Sequence, residues 1–365
     1  MTTAHTMTIP TEPIGSIPRP RPLIDAMRQS AEGSLSGNVL QSISESALVD
    51  TIARFEATGS PVITDGEQTK PSFATYPIHG SQNLAPDGVT IPFADGHTRR
   101  LPRLVAGPFR YQTFAATYLR AAQKLTKHSL KQAVISASAL SLLYPEGGIS
   151  GYSREQFVED LINEAEADIR GCLNQGAVNV QVDFTEGRLA LKLDPSGGLL
   201  DQFIDLNNRV FERFSDDDRL RLGVHSCPGG DHDATHSADV DYAGLLPRLF
   251  KLKVTNFYLQ MASETNRRRS LNLIRENIQL NHRVFIGVID PISQTLETPD
   301  VVCERTLEAA EYIPAEQLGT TDDCGFSPFA DDISTARDLA FSKIAARVKG
   351  TAMAAEQLAK RAEKN

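Results

Sequence analysis

Two stretches, Ala177-Val178-Asn179-Val180-Gln181-Val182-Asp183 and Leu220-Arg221-Leu222-Gly223-Val224-His225-Ser226, decide how this chain is read. Each is a short aliphatic run that closes on polar residues, and each follows a longer segment whose apolar residues recur at helical spacing. That is the pattern of parallel βαβ units. The rhythm continues in both directions. Upstream it places strands at Gln132 to Ala137 and Pro61 to Thr64, and a short one at Glu12 to Ser16. Downstream it places them at Thr255 to Met261, Arg283 to Ile289 and Gln317 to Thr321. The expectation is an α/β fold, a single (β/α)8 TIM barrel, with residues 1–365 as one domain.

Two segments fall outside that rhythm. Residues 80–108 are rich in Gly and Pro and carry short alternating runs such as Val89-Thr90-Ile91-Pro92-Phe93, which predicts a β-hairpin insertion after the second strand. Such an excursion is placed to cover part of a site. Residues 335–365 are rich in Ala, Lys and Glu at helical spacing and predict a closing helix.

With 41% hydrophobic and 23% charged residues the composition is that of an ordinary globular protein rather than a disordered or membrane one. The 46 acidic residues outnumber 37 basic ones, and the resulting net charge of −9 disfavours nucleic acid and anionic membrane surfaces as partners. A small-molecule partner fits better. No apolar run reaches about 18 residues, and Met1 to Pro20 lacks the basic start and continuous apolar centre of a secretory signal, so a cytoplasmic location is expected. Four dispersed cysteines, Cys172, Cys227, Cys303 and Cys324, are too few for a disulfide framework. Cys172 and Cys303 fall in helical segments and read as small buried residues.

The carboxyl ends of barrel strands converge on one face, so their polar residues form a common pool. Here the pool holds Ser16, Asp65 with Glu67, Asp183, His225 with Cys227, Glu264, Asp290, and Asp323 with Cys324. Residues two apart along a strand share a side, which lets the His225 imidazole and the Cys227 sulfur face one point. Cys324 adds a second thiolate and Glu264 a carboxylate. A set of one nitrogen, two sulfurs and one oxygen suits tetrahedral zinc, which favours the deprotonated form of a substrate thiol without redox chemistry. Other polar runs read as solvated surface: His232 and His236 as loop residues, Arg267 to Arg269 as a helix start, Asp216 to Asp218 as a loop.

At this point the chain resembles the catalytic domain of the cobalamin-independent methionine synthases over most of its length. The landmarks are Ile14-Gly15-Ser16-Ile17-Pro18, Asp65-Gly66-Glu67, Val180-Gln181-Val182-Asp183, His225-Ser226-Cys227 and Asp323-Cys324-Gly325. The resemblance implies a zinc ion held by His225, Cys227, Glu264 and Cys324. It also implies that the Ser16 segment, Glu67 and Asp183 bind the amino-acid end of a thiol such as homocysteine, with Glu67 and Asp183 counted as catalytic. By default the methyl donor would be a methyl-folate. The departures all concern the donor: Asp183-Phe184-Thr185 lacks the family's adjacent carboxylate, Asp290-Pro291-Ile292-Ser293 lacks its His, and the chain has no Trp. A zinc-dependent alkyl transfer from another electrophile, for example an epoxide with a coenzyme M type thiol, therefore stays open. So does a non-catalytic zinc- and thiol-binding protein.

Overall fold

A computed structural model describes residues 7–363. Short parallel strands form its centre: β1 (Val62–Ile63), then, after an excursion, β6 (Ser129–Leu130), β7 (Gln132–Ile135), β8 (Val180–Asp183) and β9 (Leu222–Ser226). They continue as β12 (Asn256–Leu259), β13 (Arg283–Ile289) and β14 (Leu318–Asp322). Six of them make one parallel sheet in the order β14-β13-β12-β9-β8-β7. At one edge β1 pairs in parallel with β6, and Lys131, between β6 and β7, donates its N–H to Ile63 O at 2.9 Å. At the other edge Thr11 bridges Thr320 in parallel. The chain from Thr11 then crosses to the β1 end, where the Thr64 hydroxyl donates to Gly15 O at 2.9 Å.

The strands are buried on both faces and read as nearly continuous aliphatic runs because helices cover the outside. Between β7 and β8 runs the helix Arg154–Asn174, begun by a reciprocal capping box in which the Ser153 hydroxyl accepts from Gln156 N and the Gln156 side chain accepts from Ser153 N. Its inner face, Phe157, Leu161, Ile162, Ala165, Ile169 and Cys172, packs into the core. The last helix, Arg337–Ala362, lies within the segment expected to be helical. Cys172 and Cys303 are both helical and buried, as the sequence suggests.

Several expectations about local structure are corrected. Glu12 to Ser16 forms only the bridge at Thr11, since Pro13 offers no N–H to a ladder. The third strand stops at Ile135, not Ala137, because the Ser136 hydroxyl accepts from Ala139 N at 3.1 Å and starts the helix Ala137–Ser141. The sixth stops at Leu259 because the amides of Met261 and Ala262 turn to Asp323. Asp216 to Asp218 belongs to a helical turn, Asp216–Arg219, capped by Ser215, rather than a loop. The excursion at 80–108 is two nested antiparallel pairs, β2 (Leu84–Ala85) with β5 (Arg103–Leu104) outside β3 (Thr90–Pro92) with β4 (Thr98–Arg100).

Charges are buried inside the sheet as well as apolar groups. Glu12 accepts from the Tyr258 hydroxyl at 2.6 Å and from Asn179 Nδ2 at 2.6 Å, with Lys131 Nζ 3.6 Å away. Lys131 donates to Gln181 Oε1 at 2.9 Å and stands 4.0 Å above the Tyr258 ring. From the outer helix Arg347 reaches Asp322 at the end of β14, Nη1 to Oδ2 2.5 Å, with neither side chain more than 1% exposed. Removing one member of a buried pair strands the other charge at a cost of about 3–5 kcal/mol. Arg347→Met is therefore expected to lower unfolding free energy in urea by about that amount, and Arg347→Met with Asp322→Leu by clearly less.

Candidate metal centre and adjoining cavity

His225 is the fourth residue of β9, and in the parallel register it pairs with Asp183 of β8 and Tyr258 of β12. Paired residues of parallel strands point to the same face, so Asp183 and His225 lie side by side. The His225 Nδ1–H donates to Tyr258 O at 3.2 Å, which leaves the lone pair on Nε2; that atom is buried and has no partner. Cys227 follows just past the strand end. Its Sγ accepts from Gly229 N at 3.3 Å and lies 3.1 Å from the Sγ of Cys324. Gly229 sits at φ +73°, and a Cβ there would fall 1.9 Å from His236, so the turn that holds Cys227 needs glycine.

Cys324 arrives from the other side of the sheet, just after β14. One nitrogen and two sulfurs, from His225, Cys227 and Cys324, all lie within 4.8 Å of one another. The hydrogen bond from Cys227 and the neighbouring His225 hold the Cys324 thiol well below its usual range, while the same bond pushes Cys227 up. An uncommitted imidazole nitrogen beside two thiols, one poised as thiolate, is a donor set that fits a zinc ion. Glu264 is not in this cluster. Its carboxylate meets Arg188 Nη2 at 3.2 Å, and Arg188 also donates to Gln260 Oε1 at 3.0 Å over the face of Tyr242.

A cavity, partly open to solvent, adjoins the cluster. One wall brings together Ser16, Glu67, Asp183, His225 and Cys324. Glu67 has a left-handed backbone, φ +54°, a costly conformation for a side-chain-bearing residue and a frequent one where a site demands it. It is buried against Lys70, Oε1 to Nζ 3.2 Å, and burial pushes its carboxyl up to about 7 against the pull of that ammonium. Asp183 accepts from Gln181 Nε2 at 2.7 Å, and burial raises it as well. The Ser16 hydroxyl accepts from Ser327 N at 3.2 Å and packs so closely on the Cys324 loop that a Cβ at Gly325 would lie 2.2 Å from its oxygen. Much of the rest of the lining is apolar, including Phe73, Ile91, Phe93, Leu140, Leu189 and Phe329, with Ile91 and Phe93 supplied by the excursion.

Sequence reasoning placed Asp323 at the rim without its role: it receives the N–H groups of Met261, Ala262 and Ser263 at 2.7 to 2.8 Å and so ties the β12 loop to the Cys324 loop. It missed three residues: Lys70 and Arg188, which neutralise carboxylates of the site, and Glu186, which lines the cavity. Of these only Glu186 carried any signal, as an acidic residue three positions after the strand end at Asp183. His232 and His236 separate: His236 is buried, its Nδ1–H donating to Gly229 O at 3.1 Å. His232 lies with His97 and Asp231 in a second group of potential ligand atoms, into which Arg99 already donates. His236 thus lies in a loop, as expected, but is buried rather than solvated. Arg268 and Arg269 are exposed at the start of a helix, as expected of a surface charge run, whereas Arg267 is largely buried against Glu308.

No protein-family model matches the chain. It is 22% identical to the methionine synthase of Sulfurisphaera tokodaii over 352 residues, 96% of this chain and 94% of that one. With the methionine synthase of Sulfolobus acidocaldarius it shares 23% over 361 residues, 98% and 95% of the two chains. Among solved structures, the B12-independent methionine synthase from Shewanella sp. W3-18-1, in complex with selenomethionine, aligns over 96% of this chain and 99% of that one, with a TM-score of 0.76 at 20% identity. The chain is a homologue of the cobalamin-independent methionine synthases. Among the described residues of this methionine synthase homologue, no helix is long and apolar enough to cross a membrane.

If the His225, Cys227 and Cys324 cluster holds zinc, wild-type protein purified without chelator will carry about one zinc ion per chain by elemental analysis. The Cys227→Ala/Cys324→Ala variant will carry essentially none while keeping its far-UV circular dichroism.

Proposed function

We propose that this chain is a zinc-dependent S-methyltransferase acting on a small amino-acid thiol, homocysteine by default, with residues 1–365 forming a single closed (β/α)8 barrel. The observation that carries the reading is the placing of the His225, Cys227 and Cys324 cluster beside a cavity whose wall holds Ser16, Glu67 and Asp183. His225, Cys227 and Cys324 would hold the zinc, with Glu264 as fourth ligand once it leaves Arg188. When bound, the ion supplies a Lewis acid that favours the thiolate form of the substrate.

The rest belongs to the chain. The Tyr258 carbonyl fixes the His225 tautomer, and Asp323 fixes the loop that carries Glu264. Glu67 and Asp183 present two carboxylates to a substrate ammonium, the charge-assisted pairing that such a group requires when it leaves water. Lys70 offsets part of their mutual repulsion in the free protein. The excursion carries Ile91 and Phe93 over the cavity and keeps water from a thiolate that would otherwise be solvated.

A methyl-folate is the default donor. One observation favours a different electrophile, an epoxide for example: the chain has no Trp to stack on a pterin ring. Turnover assayed across methyl-folates and small epoxides decides between them.

Two measurements test the core of the reading. Turnover should vanish on removal of zinc, return on its addition, and be absent in Cys227→Ala; activity surviving either change would sink it. Asp183→Asn should raise the KM for homocysteine about tenfold to a hundredfold, the worth of one charge-assisted hydrogen bond, with zinc content unchanged.

A further inference from the structure

Glu186 is a buried carboxyl with an asymmetric environment. It lies at the start of the helix Glu186–Leu193, three residues beyond Asp183, is 4% exposed, and lines the cavity that adjoins His225 and Cys324. Its Oε1 accepts two hydroxyls, Ser136 Oγ at 2.5 Å and Ser138 Oγ. Its Oε2 is buried and has no partner at all. The serines are themselves held: Ser136 Oγ accepts from Ala139 N at 3.1 Å, and Ser138 Oγ accepts from Asn207 Nδ2 at 2.7 Å. With those acceptor positions filled, both hydroxyl protons point at Oε1. The carboxyl proton of the acid form is therefore left on Oε2.

Among the described residues no cation forms a salt bridge with this group. Its polar neighbours are the two serines, and the charge of Asp183, of the same sign, acts on it. An unpaired buried carboxyl is a liability unless it is used, since nearly every buried polar atom in a protein finds a partner. Burial favours the acid, and the two serine hydroxyls favour the carboxylate left once the proton departs. The balance places its titration at about 7, where an acid can both hold and release a proton.

Alkyl transfer to a thiolate creates the need for such a proton. When sulfur attacks the carbon, the bond from that carbon to the leaving nitrogen or oxygen breaks, and its electron pair stays on that atom as an amide or alkoxide too basic to leave unaided. We propose that Glu186 is the general acid of the donor side, delivering its Oε2 proton to the departing nitrogen or oxygen. The new carbon–sulfur bond, the N–H or O–H of the product and the Glu186 carboxylate complete the balance. The carboxylate recovers its proton from water when the product leaves. This rests on the thiol-alkylating reading above and restricts the donor to electrophiles whose leaving atom must be protonated.

The test separates the acid from the rest of the site. Wild type and Glu186→Gln, an isosteric change that keeps an acceptor for the serines, are assayed with homocysteine and three donors: 5-methyltetrahydrofolate, propylene oxide, and methyl iodide, whose iodide leaves without a proton. Zinc content and homocysteine affinity, measured by calorimetry, should be the same in both proteins. With whichever of the first two donors wild type uses, kcat should fall at least about a hundredfold in the variant. With methyl iodide it should change less than about threefold. Equal losses with all donors, or no loss with any, overturn the assignment of Glu186 while leaving thiol alkylation standing. A wild type that alkylates homocysteine with none of the three overturns both.

Discussion

Parallel pairing of short strands is the constraint on which the rest depends. Because β7, β8, β9, β12, β13 and β14 run the same way, their carboxyl ends share one rim, and loops far apart in sequence are delivered to one place. The register settles the detail. Ile135, Asp183, His225 and Tyr258 are successive partners across four strands, so the carboxylate and the imidazole stand next to each other on the inner face. A slip of one residue in β9 would turn His225 outward and bring no sulfur to replace it.

The rim works only because what lies beneath it is rigid. Below the cavity Glu12, Asn179, Lys131, Gln181 and Tyr258 satisfy one another, joining the first segment of the chain to β7, β8 and β12. Buried polar groups of this kind are costly unless each finds a partner, and they admit few alternative packings. At the rim Asp323 performs the same task for loops: its carboxylate closes three successive amides of the β12 loop beside Cys324. The His225, Cys227 and Cys324 cluster thus adjoins a loop whose three successive amides are already paired.

The cavity lining is chemically mixed: it holds the buried polar groups of Ser16, Glu67, Asp183 and Glu186 together with many apolar side chains. The excursion after β1 contributes Ile91, Phe93, Arg99 and Leu101 to it. Arg99 of β4 pairs with Asp231 on the turn after Cys227 and with Asp331 after Cys324, so the excursion is anchored to the two loops that carry the sulfurs. The excursion and the His225, Cys227 and Cys324 cluster are consequently linked through one ion-pair network.

Chain periodicity by itself determined the order of strands and helices, because a strand buried on both faces must be aliphatic and an outer helix must carry one apolar stripe. It also marked His225, Cys227, Cys324, Ser16, Glu67 and Asp183, since polar residues at the ends of such runs have one rim to go to. Strand limits were not legible: Ser136 and Asp323 end their strands by capping or clamping amides, choices that depend on neighbours distant in sequence. Nor was the state of each side chain. Only the packed structure commits Glu264 to Arg188, buries His236 under Gly229 and leaves Glu186 Oε2 without a partner, because these outcomes are set by distances between loops that sequence spacing does not encode.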